Sequence, residues 1–587
     1  MIGRNRELDL LCHHLTAARE GGAVALLSGE AGIGKTRLLT EFAGHARAGG
    51  WLLLSGRAHE SEGAPPYLPL IEALREPIRA RTERDLLELL GPDAAIVTRV
   101  FPQLSARLSA LPPAYSLPAE HERYRLFEAI SGFILSIIRT DAAAGGLLLL
   151  DDLHWADRAS LLLLRHLLQF AAGAPLLVAG AYRSDAVDDG HPLAALAADL
   201  ARNGALLHVA LDGLSTEESG ALVAALQPGP LDPALVEAIH REAGGNPFFV
   251  REIVRHLQAT GRDFASAQQP APLALGVPEG ARRVIGQRLA RLSTDAQRLV
   301  QAAAVLDAGC EFPILRLVSE IDEPRLLDVL DEVLHAGVLR EGSDGLHFTH
   351  ALIRETVYNG LSASCRQRLH LRAAEAIERA AGQHSEPVAA VMALHYRRAG
   401  TLAEPRKAHR YAVQAGEAAA SVFAWEEAAA HWTAALDLLP APATAAERLQ
   451  RAAILERLGD VLYLIGLDVA LGLQYLEEAL ALYETLGEEE RAAAVHVRLG
   501  HNLMLWTAYS VVNIPRALGH FRTAEAWLAG KPESPLLGDL YTGFATAALK
   551  ALQTTEGLAT ARRAVEIGAR LHDERVRVSG AVLLALH

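Results

Sequence analysis

Ala23-Val-Ala-Leu-Leu-Ser-Gly-Glu-Ala-Gly-Ile-Gly-Lys-Thr36 is the stretch on which the fold turns. Its first five residues are an unbroken apolar run, which reads as a buried strand. Gly29 to Thr36 then fits G-x-x-x-x-G-K-[ST] without a mismatch, and an amphipathic helix beginning Arg37-Leu38-Leu39 follows. That is the strand–loop–helix context the pattern requires. The spacing has a chemical reason. Glycines let successive backbone N–H groups turn inward around phosphate oxygens, and the helix N-terminus adds partial positive charge. Gly29, Glu30, Ala31, Gly32, Ile33, Gly34, Lys35, Thr36 and Arg37 are therefore the expected nucleotide-binding segment, with ATP or ADP as ligand. Lys35 is expected to reach the β- and γ-phosphates, and the Thr36 hydroxyl to ligate Mg2+.

Such a loop needs an acidic partner. The apolar run Gly146-Leu-Leu-Leu-Leu150 ends in Asp151-Asp152. On a strand beside the loop strand, Asp151 can hold Mg2+ and Asp152 can orient or deprotonate an attacking water. A further apolar run, Pro175 to Tyr182, ends in Arg183. Two readings stand for Arg183: a sensor pointing at the γ-phosphate, or a surface cation paired with Asp185 or Asp188. The catalytic set is thus Asp152, Lys35 and Arg183. Asp157 reads as the N-cap of a helix over Arg158–Phe170, and Trp155 as a packing residue.

Working outward, a chain of 587 residues holds about three or four domains. Hydrophobic residues make up 50% and charged residues 21%, so packed cores are expected along its length. The three cysteines, Cys12, Cys310 and Cys365, are too scattered for a disulfide framework or a zinc knuckle, and the start lacks a signal-peptide pattern, so a cytoplasmic location is expected. Leu161 to Gly180 is long enough for a membrane span but contains Arg165, His166, Gln169 and Pro175. It divides into an amphipathic helix and a buried strand, and no membrane partner is expected. The net charge of −14 argues against a generally nucleic-acid-binding surface. Only four of the 56 basic residues are lysines, which makes Lys35 in a Gly-rich loop conspicuous.

The opening Ile2-Gly3-Arg4-Asn5-Arg6-Glu7-Leu8, the loop GEAGIGKT, LLLLDDLHWAD (147–157), AYRSD (181–185), GGNPFFVREI (244–253) and FTHALIRETVY (348–358) together resemble one family. It is the MalT-like, large ATP-binding regulators of the LuxR type, in the STAND class of P-loop ATPases, whose ATPase module is also described as origin-recognition-like AAA. The resemblance covers residues 1–375 by motif and the remainder by architecture. It implies that Gly3 and Arg4 lie near the nucleotide base, that Pro247 of the Gly245-Asn246-Pro247 triplet packs on adenine, and that His350 touches the β-phosphate of ADP and locks a closed state. Read from the residues alone, Asn246-Pro247 is also an ordinary turn before a helix, and His350 a core residue at a helix start. Many fast ATPases carry Glu where this chain has Asp152; the shorter side chain suits slow hydrolysis.

Downstream, Thr216–Leu226 and Asp232–Thr260 are helical by periodicity, and Phe264 to Pro272 is a Pro/Gln/Ala linker. Residues 278–361 show four helical segments with a strand pair before the last, the order of a winged helix. Its candidate recognition helix, Asp322–His335, carries five acids against one Arg; phosphates would repel it, so an intramolecular lid is expected. From Leu369 onward, small-residue helices carry a recurring pair at Trp432/Ala435, Leu476/Ala479, Phe521/Ala524 and Ala561/Ala564. These are longer than the usual tetratricopeptide repeat of about 34 residues, and the last one reads as cut short.

The expected fold is an α/β P-loop NTPase domain, a parallel sheet with helices on both faces, followed by a helical arm, a winged helix and an α-solenoid. The expected boundaries are 1–213, 214–277, 278–368 and 369–587. The leading expectation is an ATP/ADP switch whose repeats sense an inducer or protein partner. ATP-dependent self-association would follow, with transcription regulated through a C-terminal DNA-binding module absent from this chain. The alternatives are an ATPase motor or loader similar to origin-recognition proteins, and a repeat scaffold with a vestigial ATPase.

Overall fold

The computed structural model describes residues 1–59, 63–108, 111, 119–141, 144–204, 206–259, 264, 285–286, 288–306, 311–342, 345–382, 388–439, 442–466, 468–504 and 512–587. The chain divides into two compact units, Met1–Glu427 and Ala428–His587.

The first unit is built on a five-stranded parallel sheet. Its strands are β1 (Ala23–Gly29), β2 (Trp51–Arg57), β3 (Gly145–Asp151), β4 (Leu176–Arg183) and β5 (Leu206–Ala210), in the order β2-β3-β4-β1-β5. The runs Val24–Leu27, Leu147–Leu150 and Leu176–Ala179 are apolar at every position because both faces of the sheet are covered. On one face, α1 (Asn5–Ala17) and α2 (Lys35–Ala48) bring Leu11, Leu15, Leu38 and Phe42 onto Ala25, Leu27, Leu149 and Leu177. On the other, Leu153 lies against Gly180, and Ile138 of the helix Ala119–Asp141 fills the space beside Gly146. At roughly 1.5–3 kcal/mol per fully buried large aliphatic or aromatic side chain, this double burial is the main force holding the sheet.

The expected adjacency of the acid-bearing strand and the loop strand is incorrect. β4 lies between them, pairing with β1 in the register Gly29↔Arg183 and with β3 in the register Leu150↔Gly180. Strand order is a non-local property that no single run of residues encodes. The consequence is that Gly29, Arg183, Asp151 and Arg57 all end at the same carboxyl edge of the sheet, Arg57 being paired with Asp151. Ligands of open α/β sheets bind outside that edge.

The segment Leu161 to Gly180 divides as expected into the helix Arg158–Phe170 and β4. No helix among the described residues is long and apolar enough to cross a membrane. The region Asp232–Thr260 is two helices, Pro233–Ala243 and Pro247–Ala259; Gly244 and Gly245 take positive φ of 59° and 71° and break it. Most of the expected linker lies outside the described residues. Phe264 is buried with Val223, Ile239 and Ile253, and its carbonyl accepts from the Asp232 N–H. Further on, the helices Thr294–Leu306, Phe312–Ser319 and Glu323–His335 precede an antiparallel pair, β6 (Leu339–Gly342) and β7 (Gly345–Phe348), and then the helix Ala351–Gly360. These elements share one core that includes Leu299, Leu315, Leu326, Val333, Leu346 and Ile353. The acidic face of the helix Glu323–His335 is tied down: Glu332 accepts from Ser293, and Arg325 pairs with Asp295.

The second unit is helical among its described residues, with Ala445–Ile465, Val469–Leu486, Glu489–Asn502, Ile514–Leu528, Pro535–Lys550, Thr554–Arg570 and Glu574–Leu586 in succession. The recurring pairs are its packing points. Leu476, Ala479, Phe521, Ala524, Ala561 and Ala564 are all fully buried. Small residues facing them let helices close up: a Cβ on Gly459 would lie 2.5 Å from Leu476 Cγ, and one on Gly500 would lie 2.6 Å from the Phe521 ring.

Candidate functional site

The loop from β1 to α2 curls over the carboxyl edge of the sheet. Gly34, at φ 106°, is the N-cap of α2, so the helix begins at Lys35 rather than at Arg37. Lys35 is buried, and its ammonium donates to the carbonyls of Gly29 and Glu30, each at 2.8 Å. Burial lowers its pKa, and the nearby Asp152 and Asp151 carboxylates oppose that shift. The Thr36 hydroxyl donates to Asp151 Oδ2 at 2.7 Å, joining the two halves of the site across 115 residues of sequence. Burial, followed by the neighbouring Asp152, raises the Asp151 pKa. A buried carboxylate held up in this way gains from a cation, and a hydroxyl beside a carboxylate is the hard-oxygen donor set that Mg2+ takes alongside phosphate oxygens. Thr36 and Asp151 fit that ion.

Asp152 is in the left-handed region, at φ 54°, with its N–H on Asp151 Oδ1 at 3.0 Å. That turn aims its carboxylate at Arg57, whose Nε donates to Asp152 Oδ2 at 2.9 Å. Arg57, at the end of β2, has no motif around it and went unnoticed in the sequence. Arg183 pairs through Nε and Nη2 with Asp185, at 3.2 and 2.9 Å, and through Nη1 with Glu355 of the helix Ala351–Gly360. Asp185 is thus the local partner, whereas Asp188 accepts from the Gly190 N–H. His154 is buried beside this group; burial lowers its pKa to about 4, with Asp152 opposing. Asp157 caps the helix Arg158–Phe170, accepting from the Ser160 N–H at 2.7 Å. Trp155 corrects an expectation: it is 40% exposed, touching His154 while leaving much of its ring outside the core.

Three segments close on the loop from elsewhere in the first unit. Arg4 is buried, and its guanidinium donates to the Asp212 carbonyl and, at 3.4 Å, to the Ile33 carbonyl. Gly3 at φ 68° packs on Leu214 and Glu218. The Asn246 amide donates to the Ala31 carbonyl at 3.0 Å, while its Oδ1 accepts from the Phe248 N–H at 3.1 Å. Gly32, at φ 83°, has no room for a side chain, because a Cβ there would lie 2.8 Å from Phe248 Cβ. The Phe248 ring stacks on His350 with centroids 3.9 Å apart. His350 caps the helix Ala351–Gly360 by accepting from the Leu352 N–H; burial lowers its pKa to about 4, with Asp152 again opposing. Pro247 opens the helix Pro247–Ala259, immediately after Asn246. Two of the expected loop residues face elsewhere: the Glu30 side chain is exposed, and Arg37 pairs with Glu41 four residues along α2, its side chain 70% exposed.

Chemically, the arrangement is a Gly-rich loop at a helix N-terminus, a feature suited to phosphate, with a metal-compatible oxygen pair, a second carboxylate and two arginines at one sheet edge. Residues 1–179 match the family described as AAA ATPase domain, and this part of the chain is an AAA-type ATPase domain. Among curated proteins, the chain is 26% identical over 469 residues to an uncharacterized protein, R02095, of Rhizobium meliloti (strain 1021). The match takes in 75% of this chain and 42% of the relative, so the chain spans less than half of that protein's length. Among solved structures, it is similar to the STAND protein with a tetratricopeptide repeat sensor, PH0952, from Pyrococcus horikoshii (13% identity, TM-score 0.38, 100% of this chain and 86% of that one). It is also similar to the Walker-type ATPase paby2304 of Pyrococcus abyssi (15% identity, TM-score 0.29, 61% and 96%).

Proposed function

We propose that the chain is a nucleotide-operated signalling switch of the STAND type, in which ADP holds separate modules together and ATP loosens them. The observation that carries this reading is that the phosphate loop is gripped from outside its own sheet. Asn246 bonds the loop backbone, and Phe248 links it through a ring stack to His350, more than a hundred residues further on. A ligand seated in the loop therefore borders the helical arm itself and, through it, the segment that follows the arm. Any change in its terminal phosphate is felt by both, which is the differential affinity a two-state switch requires.

In this reading Gly29 to Thr36 wrap the phosphates, Lys35 leaves its two carbonyls for the β- and γ-phosphates, and Thr36 with Asp151 hold Mg2+. That ion supplies charge neutralisation on the phosphates. Asp152 orients the attacking water, and Arg57 fixes the direction of its carboxylate. Pro247 and the Gly3-Arg4 segment border the base, and His350 contacts the diphosphate. Hydrolysis is slow and resets the switch. The repeats bind an inducer or protein partner, the open form self-associates, and a longer form of the protein regulates transcription.

Calorimetry with ADP on native protein and on Lys35→Ala, with limited proteolysis in ADP and in a non-hydrolysable ATP analogue, tests the proposal. Expected are loss of tight binding in Lys35→Ala and a different cleavage pattern with each nucleotide. Unchanged affinity in the variant removes the site, and identical patterns in native protein remove the switch.

A further inference from the structure

We infer that Glu355 is a built-in competitor of the γ-phosphate: its carboxylate occupies Arg183 in the closed arrangement, so that ATP can recruit Arg183 only by displacing the helix that carries Glu355. This rests on the nucleotide-switch reading above and names the residue pair through which the third phosphate is detected.

Arg183 is the last residue of β4, in register with Gly29, the first glycine of the phosphate loop. On its other side its N–H meets His154 Nδ1 at 3.4 Å, two residues beyond Asp152. Its charge acts on Lys35, lowering that pKa as one of several contributors. Arg183 therefore stands beside the groups that flank a terminal phosphate. Its guanidinium is nevertheless fully directed elsewhere. Nε and Nη2 go to Asp185 two residues along, and Nη1 goes to Glu355, 172 residues away. Both members of the long-range pair are largely buried, with side-chain exposures of 17% and 23%.

The two carboxylates are not equivalent. Asp185 belongs to the turn that follows β4 and moves with Arg183. Glu355 belongs to the helix Ala351–Gly360, whose N-cap is His350, the residue stacked on Phe248. With Nε and Nη2 held by Asp185, a phosphate reaching for Nη1 meets the Glu355 carboxylate already there, and like charges come together in a poorly solvated place. ADP leaves the Arg183–Glu355 pair undisturbed, whereas a γ-phosphate sets a second anion against Glu355. Neutralising Glu355 removes that conflict and the tie at once.

The test compares binding of ADP and of AMP-PNP to the native 587-residue chain, Glu355→Gln, Arg183→Ala and the double variant, with Mg2+ present. Glu355→Gln is nearly isosteric. It should raise the AMP-PNP-over-ADP preference by at least about fivefold, the lower end of ordinary coupling between sites, with ADP affinity within about twofold of native. The gain should vanish in the Arg183→Ala background. Should Glu355→Gln fold poorly, Arg183→Lys, which keeps the charge but not the fork, should weaken AMP-PNP at least about fivefold more than ADP. An unchanged preference in Glu355→Gln, or a gain that persists without Arg183, overturns the inference while nucleotide binding lost in Lys35→Ala keeps the parent reading intact. Absence of binding by native protein overturns both.

Discussion

Asn246 offers the sharpest test of whether the phosphate loop is shaped from outside. It is buried to 3% exposure and makes two hydrogen bonds, donating to the Ala31 carbonyl and accepting from the Phe248 N–H as the cap of the helix Pro247–Ala259. Asn246→Ala removes both. Loss of an Asn cap costs about 0.5–2 kcal/mol, and loss of a single bond to a backbone carbonyl about 1 kcal/mol. The cap term falls on the arm's own helix whether or not it is docked, so docking on the loop should weaken by the lost Ala31 bond alone, about 1–3 kcal/mol with that carbonyl left unpaired, roughly 5- to 150-fold in the docking equilibrium. If the loop holds its cradle only when docked, part of that loss passes into nucleotide affinity, and ADP should bind about threefold or more weaker by calorimetry.

A second substitution separates the two bonds. Ser at 246 keeps a cap oxygen for the Phe248 N–H but is too short to reach the Ala31 carbonyl. Asn246→Ser should recover about 1 kcal/mol of resistance to urea relative to Asn246→Ala, while ADP stays weakly bound. ADP affinity within twofold of native in Asn246→Ala would refute the reasoning, because the loop would then need no support from the arm.

Asp152→Asn should lower ATP hydrolysis at least about 100-fold, measured by phosphate release, with ADP affinity within about threefold of native; equal loss of both would make Asp152 a binding residue. His350 carries a pH dependence. Burial holds its pKa at about 4, below the free value of about 6.5, so its contribution to the closed arrangement is complete above pH 6.5 and is lost as the pH falls toward 4. Protease sensitivity of native protein should rise between pH 7 and 5, and His350→Phe, which keeps the stack without the proton site, should flatten that rise; part of the slope remains with His154, whose pKa is also about 4. Gly459→Val should cost about 1–3 kcal/mol of stability by overpacking, read as a lower urea midpoint, since the new side chain meets Leu476 Cγ and the Gly472 carbonyl.

What could be read from the sequence was whatever is enforced locally. The phosphate loop is a run of eight residues whose four fixed positions, Gly29, Gly34, Lys35 and Thr36, each answer to a requirement of backbone geometry or charge. The apolar runs that became β1, β3 and β4 declared themselves because both faces of each strand are buried. Asp157 was readable as a cap because its partner, Ser160, is three residues away. The recurring pairs at Leu476/Ala479 and Phe521/Ala524 were readable because each helix repeats the same packing problem. Trp155 misled for the converse reason: a large aromatic between an acidic pair and a helix cap reads as core, but exposure depends on what lies above it, and nothing nearby encodes that.

The rest of the site depends on distances that sequence separation hides. The insertion of β4 between β1 and β3 places Arg183, not the acid-bearing strand, next to the loop strand. Arg57 is one arginine among 52, and its pairing with Asp152 follows only from the parallel register of β2 with β3. Glu355 lies in a helix whose pattern reports a buried face and says nothing of the sheet edge its carboxylate reaches. The triplet Gly245-Asn246-Pro247 drew attention to Pro247, yet Asn246 makes the bonds to the loop and to its own helix. A turn signal marks where a chain changes direction, and only the tertiary structure shows what the turn is pressed against. In this protein the loop residues and the acidic pair could be found by pattern, and His350 through the motif around it. The contacts of Arg57, Asn246 and Glu355 could not, because each is a relation between positions that no single stretch of chain contains.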